Sequence, residues 1–117
     1  MIRILAVLFI LAPSLAFGKE APLIAISYNI RNDNGGDKGV KNWDDRKGIL
    51  AAYLLEHKAS IIGLQEVKHK QLLDIEKALP NHAYVGVGRD DGETAGEFSP
   101  IFYDRRIWKL DPKEHGT

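Results

Sequence analysis

The chain alternates between short apolar runs and segments rich in glycine, asparagine and charged residues. Two of the apolar runs, Leu23 to Ile30 and Ser60 to Gln65, are rich in β-branched residues and predict buried strands. Between them, apolar positions recur at helical spacing. They predict a helix that Asp44 or Asp45 caps and that runs to about His57.

The second half of the chain predicts one more helix and three more strands. The helix spans Gln71 to Leu79 and stops before Pro80, which cannot continue it. His82 to Arg89 alternates between apolar and small or polar residues, which predicts a strand. Phe98 to Tyr103 and Ile107 to Leu110 predict two further strands that are joined by a tight turn. The predicted order is β-α-β-α-β-β-β, and the fold class is α/β (α+β).

The first two strands both stop on polar side chains, Asn29 and the pair Gln65-Glu66. One helix joins these strands, so a right-handed crossover makes them parallel neighbours. Their carboxyl ends then share one edge of the sheet, where ligands of such sheets usually bind. An amide oxygen and a carboxylate at this edge suit Mg²⁺ that is bound jointly by protein and phosphate.

Each of these two residues also has an ordinary structural explanation. Asn29 at a strand end could bond to the backbone of its own loop. Glu66 could serve as a carboxylate that the dipole of the following helix favours. Only the pair, each residue following an apolar strand, points to a metal site.

The first 18 residues have the layout of a secretory signal peptide. Arg3 precedes the unbroken apolar run Ile4 to Leu11, and small residues follow it. The run is shorter than the ~20 residues that a membrane-spanning helix needs, so we expect no stable membrane anchor. We therefore expect a secreted or periplasmic protein whose mature domain begins near Lys19 and extends to Thr117.

Charge and cysteine content narrow the function classes. Sixteen basic side chains balance 16 acidic ones, so a protein that coats nucleic acid non-specifically is disfavoured. The chain has no cysteine, which excludes disulfides, thiolate metal sites and thiol nucleophiles.

Four motifs resemble the endonuclease/exonuclease/phosphatase superfamily, in particular a secreted bacterial branch. They are "SYNIR", "IIGLQEV", "NWDDR" and the block "VGVGRDDGETAGEFSPIFYDRR". The resemblance runs from about Ile26 to the last residue. It implies a four-layer αββα sandwich, of which this chain would supply the N-terminal half.

The resemblance also implies a chemistry. Asn29 matches the family's first active-site asparagine and Glu66 its metal-ligating glutamate. The implied reaction is hydrolysis of a phosphomonoester or phosphodiester by in-line attack of water, with Mg²⁺ or Mn²⁺ as cofactor. The substrate class stays open among nucleic acids, nucleotides, phospholipids and sugar phosphates, and we expect a monomer.

Arg89 and Glu97 are the further candidates for substrate binding. A guanidinium can grip two phosphate oxygens at once, but Arg89 could equally pair with acidic neighbours. Glu97 could shape the site, hold a second cation or be an exposed loop carboxylate. Trp43 could stack on a substrate or cover the core beneath the first helix.

The expected catalytic set is incomplete. No histidine shows the spacing of a zinc site, and nothing matches the family's late histidine base or its aspartate-asparagine strand end. We therefore expect the 117 residues to be a fragment of a hydrolase and to have little activity alone. The alternatives are a secreted module that binds metal or phosphate without catalysis, and an inactive truncated product.

Overall fold

A computed structural model describes residues 22–113 of the chain, so the predicted signal peptide lies outside the described residues. The described elements alternate as the sequence predicts, with one strand fewer. In chain order they are β1 (Ala25–Asn29), α1 (Trp43–Glu56), β2 (Ile61–Gln65), α2 (His69–Ala78), β3 (His82–Val85) and β4 (Ile101–Asp104), with a 3₁₀ turn (Gly39–Lys41) before α1.

The four strands form one mixed sheet in the order β1-β2-β4-β3. β1 and β2 are parallel, as the crossover argument predicts, and Asn29 pairs with Gln65. β4 runs antiparallel to both β2 and β3, so β3 is parallel to β1 and β2. The carboxyl ends of β1, β2 and β3 therefore lie together with the amino end of β4; we call this the carboxyl edge.

Both helices pack on one face of the sheet and form the core with it. Ile62 and Leu64 of β2 and Phe102 of β4 are almost fully buried on this face. The helices contribute Leu50, Leu54, Leu72 and Ile75 to the same cluster. Neither helix of the described part of the chain is long and apolar enough to cross a bilayer.

The opposite face of the sheet is largely open in the described structure. Its residues alternate with the core positions, and Ile101 on this face is 47% exposed.

The prediction that the first strand is buried is wrong. Only Ile26 of β1 is half-buried, and the other four residues of the strand are exposed. β1 lies at the edge of the sheet, which leaves few neighbours to cover it.

The helix boundaries differ from the predicted ones at their amino ends. α1 is capped by Asn42, whose side chain accepts from the backbone of Asp44 at 2.9 Å, and not by Asp44 or Asp45. Asparagine is a strong cap, and the two aspartates instead favour the first turn through the helix dipole. α2 begins at His69, two residues earlier than predicted.

The predicted strand from Ile107 to Leu110 does not form. The backbone N–H groups of Ile107 and Trp108 both donate to the carbonyl of Asp104, at 3.0 and 2.8 Å. These bonds close a turn immediately after β4 and direct the chain away from the sheet. β3 is also shorter than predicted, because the chain leaves the ladder at Gly86.

Candidate active site

Asn29 and Glu66 meet at the carboxyl edge, as the strand order requires. The side-chain N–H of Asn29 donates to Oε1 of Glu66 at 2.9 Å. The amide oxygen of Asn29 accepts from the backbone N–H of Arg31 at 2.9 Å. Because a carboxylate only accepts and a backbone N–H only donates, these two bonds define the orientation of the amide. Asn29 thus faces Glu66 with its nitrogen.

Glu66 is held in an unusual backbone conformation and in its ionised form. Its φ is 59°, in the left-handed region that costs a residue with a Cβ about 1–2 kcal/mol. The hydrogen bond from Asn29, helped by the backbone of Asn32 and the charge of Arg31, lowers the pKa of Glu66. The carboxylate therefore stays charged at neutral pH, as a cation ligand must.

Three consecutive backbone N–H groups anchor the loop after β1. Those of Arg31, Asn32 and Asp33 donate to side chains of Asn29, Glu66 and Gln71, at 2.9, 3.3 and 2.9 Å. Each acceptor comes from a different part of the fold. Arg31 also adopts a left-handed conformation, with φ of 59°. The loop is thereby fixed against the site it borders.

The buried side chain of Gln71 anchors this loop to α2. Its side chain is fully buried, and its Oε1 accepts from the backbone N–H groups of Asp33 and Lys68, both at 2.9 Å. Its Nε2 donates to the carbonyl of Arg31 at 3.0 Å. A buried amide with its groups satisfied in this way ties the start of α2 to the loop after β1.

The "NWDDR" segment holds the same loop from the other side. The Arg46 guanidinium donates to the carbonyls of Ile30 and Arg31, the latter at 2.6 Å, and lies 5.1 Å from the ring centre of Trp43. Trp43 is 1% exposed, and its Nε1 donates to Asp74 at 2.8 Å. Trp43 is therefore a core residue in this structure and does not present its ring for substrate stacking.

Glu97 reaches the site through a contact between two loops. Val67, the residue after Glu66, pairs with Phe98 through two backbone hydrogen bonds of 3.2 and 2.7 Å. Glu97 therefore lies near the carboxyl edge, and its Oε1 accepts from the side chain of Asn32 at 2.7 Å. It is half-buried rather than an exposed loop carboxylate.

The "GRDDGETAGE" loop is compact, and its glycines and acidic residues build it. Asp91 accepts from the backbone N–H groups of Glu93 and Ala95, at 2.8 and 2.9 Å, which lowers its pKa. Gly96 has φ of +82°, and a Cβ there would overlap the Asp90 carboxylate. This architecture brings the two ends of the loop together.

Arg89 is thereby aligned with Glu97. Its backbone N–H donates to the Glu97 carbonyl at 3.0 Å, and its guanidinium lies 3.4 Å from Oε2 of Glu97. It also lies 3.5 Å from Asp90 and is 69% exposed. The ion pairs expected as an alternative are present. Phosphate binding by Arg89 stays a prediction.

The four predicted site residues thus belong to one hydrogen-bonded chain. Asn29 donates to Glu66, Asn32 donates to both Glu66 and Glu97, and Arg89 donates to Glu97. A cavity of about 510 Å³ opens beside Arg89 and Glu97. Ser99, Ile101 and three glycines also line it.

The described histidines have structural surroundings. His82 lies at the opposite edge of the sheet, where its Nε2 contacts the Ala59 carbonyl at 3.0 Å. The Nδ1 of His57 contacts the Tyr53 carbonyl at 2.8 Å. His69 stacks on Phe98 with ring centres 5.9 Å apart. His115 lies outside the described residues.

The donor set can be compared with the needs of a hard cation. Within residues 22–113, no three histidine, aspartate or glutamate side chains cluster as a metal cage. Glu66 nevertheless fits a Mg²⁺ site that has few protein ligands, because each of its carboxylate oxygens accepts one hydrogen bond and keeps a lone pair for the cation. Such sites complete the coordination with water and substrate oxygens. Ligation by the Asn29 oxygen stays a prediction.

The sequence reasoning missed three residues that organise the site: Asn32, Arg46 and Gln71. Arg46 lay within a quoted motif, and only the structure shows that its donors reach the loop carbonyls. Gln71 marks the predicted start of a helix, and its burial gives no local signal. The sequence does not distinguish Asn32 from the other asparagines of its loop, and only the structure shows that its side chain contacts Glu97.

Comparison with known proteins agrees with this arrangement. Residues 26–113 match the family model described as the Endonuclease/Exonuclease/phosphatase family. Among curated proteins, no sequence matched the chain significantly.

Three solved structures illustrate the likeness. An endonuclease/exonuclease/phosphatase from Bacteroides vulgatus is 43% identical and superposes with a TM-score of 0.69 over 73% of this chain and 33% of its own. A mannosyl-6-phosphatase from Bacteroides thetaiotaomicron is 43% identical, with a TM-score of 0.69 over 73% of this chain and 32% of its own. A functionally unknown conserved protein from Enterococcus faecalis is 29% identical, with a TM-score of 0.60 over 69% and 31%. The chain thus spans about a third of the length of these proteins.

Proposed function

The chain belongs to the endonuclease/exonuclease/phosphatase family, and from that premise we propose that it forms part of an exported phosphoesterase that depends on Mg²⁺ or Mn²⁺. The contact between Asn29 and Glu66 at the carboxyl edge carries this proposal. It joins an ionised carboxylate to a fixed donor at the edge where such sheets bind ligands. In the reaction, the oxygen of water bonds to phosphorus and gives up one proton, while the bond from phosphorus to the ester oxygen breaks and that oxygen takes up a proton.

The residues have separate roles in this proposal. Glu66 holds the cation, and Asn29 and the backbone of Asn32 keep its carboxylate oriented and charged. When held by Glu66, such a cation would polarise a phosphoryl oxygen and stabilise the charge on the leaving oxygen. Arg89 contacts phosphate oxygens from the other side of the site, and Glu97 keeps its guanidinium in position.

A phosphomonoester with an uncharged leaving group is the substrate class that the surroundings favour. The loop from Gly86 to Pro100 carries four carboxylates against the single Arg89. Such a surface repels a polyanion such as nucleic acid, while hydroxyl groups can donate to its carboxylates. The mannosyl-6-phosphatase at 43% identity acts, by its name, on a substrate of this class.

We expect the 117 residues alone to hydrolyse little substrate. Within residues 22–113 the histidines contact backbone or ring partners and not Glu66, so none of them is held there as a general base. The cation and phosphate contacts would remain. A chain that binds both without turnover would favour the non-catalytic module over the enzyme for this product.

The test is hydrolysis of p-nitrophenyl phosphate and bis(p-nitrophenyl) phosphate with Mg²⁺, by this chain and by a longer product, if sequencing past Thr117 gives an in-frame continuation. We expect activity in the longer product, with preference for the monoester and loss by at least about a hundredfold in Glu66→Ala. Glu56→Ala, an exposed change on α1, is the matched control. Activity that survives Glu66→Ala would overturn the proposal.

Export is tested separately by mass spectrometry of the product from its native host. We expect a mature amino terminus near Lys19 in the periplasm or medium. A cytoplasmic product that keeps Met1 would contradict export while leaving the chemistry untouched.

A further inference from the structure

Asn32 contacts both carboxylates of the site with different parts of the same residue. Its backbone N–H donates to Oε2 of Glu66 at 3.3 Å, and its side-chain N–H donates to Oε1 of Glu97 at 2.7 Å. Both acceptors are carboxylates, so the contact to Glu97 is the stronger of the two because it is the shorter. Asn32 itself is half-buried and sits on a loop whose backbone is anchored on both sides.

Glu97 in turn restrains the exposed arginine of the site. Its second oxygen lies 3.4 Å from Nη1 of Arg89, and the side chain of Arg89 is 69% exposed. A guanidinium with this exposure samples many positions unless a partner restrains it. A change at Asn32 would therefore reach Arg89 through the carboxylate of Glu97.

We infer that Asn32 is a positioning residue: it fixes Glu97, and through Glu97 the guanidinium of Arg89, at a set distance from Glu66. The side chain acts only on Glu97, whereas the contact to Glu66 uses the backbone, so a substitution at position 32 separates the two. The role in phosphate binding rests on the proposed function, and the contact itself does not.

The contact is tested first, by NMR of the side-chain carboxyl carbons at neutral pH. Asn32→Ala should shift the Glu97 signal and leave that of Glu66 nearly unchanged, because the backbone donor remains. Asn34→Ala is the matched control: it lies two residues away in the same loop, where its amide oxygen accepts from Gly36. An unchanged Glu97 signal in Asn32→Ala would overturn the inference, whether or not phosphate binds.

The second step measures how the contact affects binding of inorganic phosphate in the presence of saturating Mg²⁺. Asn32→Asp sets two carboxylates against each other and should weaken phosphate binding about tenfold. Glu97→Gln should also weaken it. The double variant restores a hydrogen bond with reversed direction, since the new amide at position 97 can donate to the new carboxylate at position 32. It should regain at least about threefold over Asn32→Asp.

A loss of fold would not imitate this pattern, because the double variant is further from the natural sequence than either single one. Phosphate binding that is equal in the wild type and Asn32→Asp would overturn the positioning role while the proposed function stands. If the wild-type chain binds no phosphate, the proposed function fails for this chain, and the carboxyl signals still decide whether Asn32 positions Glu97.

Discussion

The side-chain amide of Asn29 donates to Oε1 of Glu66 at 2.9 Å, although 37 positions separate the two residues in the sequence. Parallel pairing of β1 with β2 ends both strands at one edge, and the pairing of Asn29 with Gln65 sets Glu66 one residue beyond. The same bond orients the carboxylate and lowers its pKa. This one contact therefore keeps oriented and charged the carboxylate that we propose as a cation ligand.

Removing the amide should raise the pKa of Glu66. We expect Asn29→Ala to bring this pKa back toward its ordinary value of 4.5, because the hydrogen bond from Asn29 is the largest cause of its lowering. Since the folded pKa lies below the unfolded one, Glu66 stabilises the fold above pH 4.5, and this contribution disappears as the pH falls through the folded pKa. An NMR titration of the Glu66 carboxyl carbon measures the change. Asn34→Ala should leave the pKa where it is, and a Glu66 pKa equal in wild type and Asn29→Ala would contradict the prediction.

The backbone conformation of Glu66 should show in its glycine variant. Glu66→Gly and Glu66→Ala both remove the carboxylate, but only glycine adopts φ of 59° without strain. We expect Glu66→Gly to be about 1 kcal/mol more stable than Glu66→Ala in urea unfolding.

The matched pair is Lys70→Gly and Lys70→Ala within α2. There the order should reverse, because glycine costs a helix about 1 kcal/mol relative to alanine. If the alanine variant were the more stable one at both positions, the backbone of Glu66 would carry no strain.

Gln71 should contribute more to stability than an ordinary polar residue. Gln71→Met keeps the length of the side chain but removes its bonds to two backbone N–H groups and one carbonyl. We expect the free energy of unfolding to fall by about 3 kcal/mol, because buried donors lose their acceptor. Gln65→Met, whose amide makes only the long contacts of 3.3 and 3.4 Å, should cost about 0.5 kcal/mol or less. Equal losses in both variants, measured by urea unfolding, would contradict this role.

The features of the fold that depend on neighbouring residues could be predicted from the sequence, and those that depend on contacts between distant residues could not. Neighbouring residues determine the alternation of strands and helices, and the parallel pairing of β1 and β2 follows from a single crossover. The absence of a further strand after β4 was not foreseen, because Ile107 and Leu110 look like strand residues. The backbone bonds from Ile107 and Trp108 to Asp104 that end the ladder become visible only in three dimensions.

The site follows the same division. Asn29 and Glu66 were predicted as site residues because each ends a strand, and Arg89 and Glu97 because they lie in a recognisable motif. Asn32 and Gln71 act across 65 and 38 positions, on Glu97 and Asp33, and such contacts leave no local pattern. The direction of the Asn29 amide was equally beyond sequence reasoning, since it depends on the backbone N–H of Arg31.

At the end of the sheet opposite the carboxyl edge, the ion pair of Asp104 with Arg106 should make the stability of the protein depend on pH. Hydrogen bonds from the Arg106 guanidinium hold the pKa of buried Asp104 at about 2, below its ordinary 3.8. The folded pKa is the lower one, so this pair stabilises the protein above pH 3.8 and loses that effect as the pH falls through about 2. We expect Asp104→Asn to be less stable than wild type at pH 7, with a difference that shrinks from pH 4 to pH 2. Urea unfolding across this range measures it, with Glu56→Gln as control, and a difference that is constant with pH would contradict the pairing.

The most direct measurement for the whole account is calorimetric titration of this chain with Mn²⁺ and Mg²⁺, in wild type and in Glu66→Gln, with Glu56→Gln as the matched control. Glu66→Gln keeps the shape of the side chain and removes its charge. We predict one bound cation in the wild type and in Glu56→Gln, and affinity at least about tenfold weaker in Glu66→Gln. Equal affinity in all three proteins would contradict a cation site at Glu66, and with it the proposed phosphoesterase.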